Sequence, residues 1–133
     1  RGLRGALMPA SMPASGTRAE QFDDLVLDAF ERLLPRWGSR LVTVEVMVQE
    51  VPDEPAARPD PAADPVVLAR CEPATPGRAA RIVVHRRPVL LRAPGHEAQV
   101  HLLEDLMVEQ VADLLGLPAE EVDPGYGDDG PPR

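Results

Sequence analysis

The stretch Glu97-Ala98-Gln99-Val100-His101-Leu102-Leu103-Glu104-Asp105-Leu106-Met107-Val108-Glu109-Gln110-Val111-Ala112-Asp113-Leu114-Leu115-Gly116-Leu117 decides the fold. Val100, Leu103, Met107, Val111 and Leu114 recur three or four residues apart, the period of an α-helix with one apolar stripe. Leu102, Leu106 and Leu115 widen that stripe, so the spacing predicts a long helix over 97–115 that is substantially buried. Gly116 stands where a left-handed C-cap belongs, and Pro118 prevents continuation. Glu120-Glu121 can open one further short turn before Asp123-Pro124-Gly125-Tyr126.

Upstream, Thr17 with Glu20 forms a capping box, in which each side chain accepts from the other's backbone N–H. Phe22, Leu25, Val26, Ala29, Phe30 and Leu33 follow at helical spacing, which predicts a first long helix over 18–34 closed by Pro35 and Gly38. Val42, Val44, Val46 and Val48 alternate with Thr43, Glu45, Met47 and Gln49, the period of a half-buried strand with its valines inward. Residues 51–65 contain five prolines and read as a surface loop or insert. A short strand from Val66 to Arg70, a turn at Thr75-Pro76-Gly77 and a strand from Arg81 to Arg86 come next, with Pro88 breaking the last or confining it to an edge. The expected architecture is α+β, with two long helices packed on a small three- to four-stranded sheet. An irregular arm (1–16) precedes a single domain (17–126), and a Pro/Gly-rich flexible tail (127–133) follows it.

A chain of 133 residues supports one core, and this one is aliphatic, because Phe22, Phe30, Trp37 and Tyr126 are the only aromatics. Its 14 basic and 22 acidic side chains give a net charge of −8, which argues against general affinity for nucleic acid or anionic lipid. Cys71 is the sole cysteine, so neither an internal disulfide nor a cysteine-rich zinc site is available. No apolar run approaches a membrane span, and the opening residues are too weakly apolar for a secretory signal. A cytoplasmic location is the expectation. Arg78, Arg81, Arg86, Arg87 and Arg92 form the one basic concentration, for which pairing with the chain's own acids is expected.

In several segments the chain resembles the minimal zincin-like metallopeptidases of bacteria, particularly the actinobacterial branch. The matching residues are Arg1-Gly2-Leu3-Arg4-Gly5, the run from Arg18 to Ala29, Ala74-Thr75-Pro76-Gly77-Arg78, and Arg81-Ile82-Val83-Val84-His85-Arg86-Arg87-Pro88. The last is Val108 to Leu117 followed by Asp123-Pro124-Gly125-Tyr126. The resemblance implies a compact zincin-like domain whose last long helix carries a metal site and whose strands offer a substrate edge. The implied activity is zinc-dependent peptide hydrolysis.

That chemistry needs His-Glu-x-x-His, continued in the short relatives by x-x-Gly-x-x-Asp. Residues four apart share a helix face, so two imidazoles converge on one zinc while the glutamate takes a proton from the bound water. In this frame the ligand positions are Glu109 and Asp113, the base position is Gln110 and the third-ligand position is Ala119; only Gly116 is kept. An amide does not accept a proton near neutral pH, and a methyl group offers no donor atom. These are vestigial positions. No catalytic residue, no metal and no cofactor are expected, and the reading is a non-catalytic family member that acts by binding.

Two alternatives stay open. A divergent metal-dependent peptidase would use Glu109, Asp113 and Glu120, or recruit His96 or His101; only then would zinc be the cofactor. His96-Glu97-Ala98-Gln99-Val100-His101 looks like the zincin signature with one residue too many, and five positions put the two rings roughly 140° apart on a regular helix. His85, on a strand, reads as a structural or edge residue. The other alternative is a peptide-binding module, taking a peptide or protein by strand addition at the sheet edge from Arg81 to Pro88.

Overall fold

The computed structural model describes residues 17–51 and 67–127. The expectations for the N-terminal arm, for all but Val51 of the Pro-rich insert and for all but Gly127 of the tail lie outside those residues. The elements in order are α1 (Arg18–Glu31), α2 (Leu34–Leu41), β1 (Glu45–Gln49), β2 (Ala69–Glu72), β3 (Arg81–His85), α3 (Arg86–Arg92), α4 (His96–Leu115) and α5 (Ala119–Val122). This is an α+β arrangement in which helices cover one face of a three-stranded sheet.

The capping box at the start of α1 is formed in full: Thr17 Oγ1 accepts from Glu20 N at 3.0 Å and Glu20 Oε1 accepts from Thr17 N at 2.9 Å. The helix buries Phe22, Val26, Ala29 and Phe30, then stops at Glu31, earlier than the apolar spacing predicts. Pro35 and Gly38 do not close a helix; they lie inside α2. Proline is harmless there because it occupies the first turn, where its missing N–H has no helical acceptor. α2 runs up to Leu41, and Val42 and Thr43, which the alternation of valines assigned to a strand, form the turn that follows it. β1 consequently begins at Glu45, and Val42 is 76% exposed rather than inward.

The strand order is β1-β3-β2, with β1 parallel and β2 antiparallel to β3. Glu45 pairs with Arg81 and Gln49 with His85 on one side; Ala69 pairs with Val84 and Glu72 with Arg81 on the other. β3 is therefore the central strand, which corrects the expectation of an edge from Arg81 to Pro88. The strand ends before the proline acts on it. Pro88 is buried in the first turn of α3, where a missing N–H again costs nothing. The strand read from Val66 to Arg70 is instead Ala69–Glu72. The turn joining β2 to β3 forms as expected, with Thr75 and Arg78 exchanging backbone hydrogen bonds and Gly77 at φ 84° after Pro76, a type II pattern.

Side chains alternate across β3. Ile82 and Val84 face the core, where they join Val26, Leu103, Met107, Val111 and the half-buried Val46 and Val48. Each fully buried aliphatic side chain contributes about 1.5–3 kcal/mol relative to exposure. α4 supplies the largest share, with Leu103, Leu106, Met107, Val108, Val111 and Ala112 buried, and ends at Gly116 in the left-handed region (φ 71°). Leu117 N donates to Ala112 O at 3.0 Å, the long bond of a Schellman cap. Among the described residues no helix is long and apolar enough to cross a membrane.

Candidate functional site

Glu109 and Asp113 lie one turn apart on α4, both exposed, with Gln110 half-buried between them. The segment after α5 and the strand β2 both reach this turn. After α5 the chain turns back, with Tyr126 N donating to Asp123 O at 2.9 Å, and the Tyr126 hydroxyl donates to Glu109 Oε2 in a short hydrogen bond. That bond, then burial, then the charges of Glu109, Asp105 and Glu120 push the Tyr126 hydroxyl up to about 12. From β2, the Cys71 thiol donates to Asp113 Oδ2 at 3.6 Å. Burial, and after it the charge and hydrogen bond of Asp113 and the charge of Glu72, push that thiol above its ordinary value. Cys71 is thus held as a neutral donor, unsuited to nucleophilic attack near neutral pH.

The two carboxylates at the motif's ligand positions are therefore engaged separately, each by its own O–H or S–H donor. Ala119 opens α5 and offers no donor atom, and Glu120 beside it is exposed. Among the described residues no three His, Cys, Asp or Glu side chains converge as a metal site would require. His96 is the first residue of α4, thirteen positions before Glu109, which is about 20 Å along a helix axis. His101 is exposed and eight positions away, about 12 Å. Neither imidazole reaches the carboxylates from this helix. The residues present do not fit a zinc ion, whose tetrahedral site needs at least three protein donors converging at one point.

His85 is 1% exposed on the central strand, within the sheet rather than at its edge. Its Nε2 lies 2.9 Å from Arg70 NH1 and its Nδ1 lies 3.0 Å from Val67 O. A guanidinium only donates, so Nε2 accepts and the ring proton sits on Nδ1, facing the carbonyl. Arg70 also donates to Glu72 (3.0 Å) and Gln49 (3.4 Å), and Arg81 bridges Glu45 (3.4 Å) and Glu72 (3.8 Å). The sheet face away from the helices thus carries a ladder of opposite charges across all three strands. Arg86 pairs with Glu50 at 2.8 Å. Two members of the basic concentration, Arg81 and Arg86, are in this way matched by the chain's own acids, as their composition suggests.

A second set of contacts fixes the C-terminal segment behind the site. Trp37 Nε1 donates to Val122 O at 2.8 Å, and Arg32 pairs with Asp123 at 2.8 Å and with Glu104 at 3.7 Å. Burial opposes ionisation of Asp123, but hydrogen bonds from Arg32 and Gly125 N–H, with the charges of Arg32 and Arg36, outweigh it and hold the carboxyl below its ordinary value. The sequence marks Glu109 and Asp113 through their spacing. It does not mark Tyr126 or Cys71 as their donors, because those contacts span 17 and 42 residues. Tyr126 and Cys71 stand out in the sequence only as its single tyrosine and single cysteine.

Comparison with protein-family models finds no match for this chain, and comparison with curated proteins finds none either.

Proposed function

We propose that this chain is a non-catalytic, zincin-like member of the metallopeptidase type, which has exchanged metal ligation for hydrogen bonds and acts by binding. The observation that carries this reading is the separate engagement of Glu109 by Tyr126 and of Asp113 by Cys71. Two carboxylates left side by side at i and i+4 repel one another and favour a cation between them. Giving each a neutral proton donor satisfies them without one. The base position supports the same reading, since Gln110 cannot take a proton from a bound water. The buried face of α4, with Leu103, Met107 and Val111, supplies apolar packing of its own.

The test is the metal content of protein purified without a metal-affinity tag, followed by zinc titration calorimetry and a peptidase assay on a mixed fluorogenic peptide pool. The expected result is well below one zinc per chain, no saturable heat at micromolar zinc and no turnover. Near-stoichiometric zinc, or hydrolysis that a chelator abolishes, overturns the proposal.

A further inference from the structure

His85 is the one buried polar side chain among the described residues, and the proposed function makes no use of it. It ends β3, the central strand, on the sheet face away from the helices, where Arg81 and Val83 precede it at alternate positions. Arg70 stands opposite Val83 on β2, and its NH1 reaches both His85 Nε2 at 2.9 Å and Gln49 Oε1 on β1 at 3.4 Å. β1 and β2 lie on opposite sides of β3, so the Arg70 side chain crosses the central strand. It is a strap over Val83, which is 0% exposed although the helices pack on the other face.

One end of this strap depends on a proton. A guanidinium only donates, so the contact with His85 requires a bare Nε2, and the ring proton is on Nδ1, facing Val67 O at 3.0 Å. A proton added to Nε2 removes the acceptor and sets two cations against each other at a ring that water barely reaches. Among the described residues, charges stand around the ring on every strand. β2 brings Arg70 and Glu72, β1 brings Glu45 beyond the neutral Gln49, and β3 brings Arg81, while Arg86, next in the chain, is turned to Glu50. Glu72 and Glu45 are already held by Arg70 and Arg81, so Arg70 is the contact that answers to the charge on the ring. Arg70 also has a second position open to it. Its NH2 donates to Glu72 on its own strand at 3.0 Å, a bond that protonation of His85 leaves intact.

We propose that Arg70 is an acid-released strap on the outer face of the sheet, closed across β3 while His85 is neutral and drawn back to Glu72 when His85 takes a proton. Release uncovers Val83 and parts Gln49 from the guanidinium, so acidification changes the outer face of the sheet and leaves the core beneath it in place. This inference is independent of the metal question, since none of these residues belongs to α4.

The test is nuclear magnetic resonance of the whole chain, following the His85 ring nitrogens, the Gln49 side-chain amide and the Val83 methyl groups from about pH 8 to about pH 4.5, a range that spans imidazole titration. At the alkaline end the ring should carry its proton on Nδ1. On acidification the Gln49 and Val83 signals should shift with the same midpoint as the ring nitrogens. Arg70→Met removes the cation and keeps an apolar chain over Val83. It should raise the midpoint of the ring by about one pH unit and leave the Gln49 amide signal flat through that midpoint. A ring proton on Nε2 at the alkaline end overturns the proposal, as does a ring that stays neutral across the whole range. Gln49 and Val83 signals that ignore the midpoint of the ring, or a midpoint that Arg70→Met fails to raise, overturn it as well. The pH series on the parent chain decides the matter by itself if Arg70→Met does not fold.

Discussion

Glu109 is an exposed carboxylate whose behaviour is set by one neighbour. The Tyr126 hydroxyl donates to it, and the same bond makes the phenol harder to ionise because a phenolate beside a carboxylate would be both unsolvated and repelled. Tyr126 is the only tyrosine, so an ultraviolet titration of the whole protein reads this group alone. Its midpoint should lie near 12, and Glu109→Gln should return it towards 10. A midpoint at the ordinary value in both proteins would mean the contact is absent in solution. The sign for stability follows: a raised pKa favours the folded state fully below pH 10 and loses that contribution as pH climbs towards about 12. At this scale the sequence is legible only where partners are close along the chain. Thr17 and Glu20 announce their reciprocal caps because both lie within one turn, whereas nothing local pairs Tyr126 with Glu109 or Cys71 with Asp113.

Two glycines show how an element's ends are and are not written in its residues. Gly116 follows a complete apolar stripe and takes φ 71°, a conformation that an L side chain resists, so Gly116→Ala should cost about 1 kcal/mol and lower the melting temperature by a few degrees. Gly38 carries the same letter but sits inside α2 at negative φ, with open space where a Cβ would go. Gly38→Ala should therefore stabilise the chain by about 0.5–1 kcal/mol. Thermal melts of the two variants should shift in opposite directions, and a shift of the same sign in both would contradict the helix assignment. The pair Pro35 and Gly38 reads as a stop because neither residue favours continuing a helix that is already running. What overrides that reading is tertiary: Leu41 is buried to 1% exposure and Trp37 is tied to Val122, so docking holds α2 in place. Pro88 leaves a break and an edge both open in the sequence, and only the pairing of β3 on both sides reveals that the strand is central and simply ends before it.

At the scale of the molecule, the α+β class is legible because long periodic segments and short alternating ones separate cleanly along the chain. The closure is not, because it depends on a C-terminal segment whose contacts reach back to α1, α2 and α4. Val122 is buried at 1% exposure, its carbonyl accepts from Trp37, and Asp123 pairs with Arg32. A buried valine and a part-buried hydrogen bond together contribute a few kcal/mol, a large share of the roughly 5–15 kcal/mol by which domains are stable. Ending the chain after Leu117 should therefore lower the urea midpoint sharply and expose Trp37, visible as red-shifted native fluorescence. A finer test isolates the ion pair. The Asp123 carboxyl is held below its ordinary value of 3.8, so its contribution to stability is present above that pH and is lost as pH falls through the folded-state value. Asp123→Asn should be less stable than the parent chain at neutral pH, and the two urea curves should converge as the pH is taken below 3.8. A gap that stayed constant down to low pH would show that the side chain acts through shape rather than charge, and that Arg32 does not hold the C-terminal segment by its pairing.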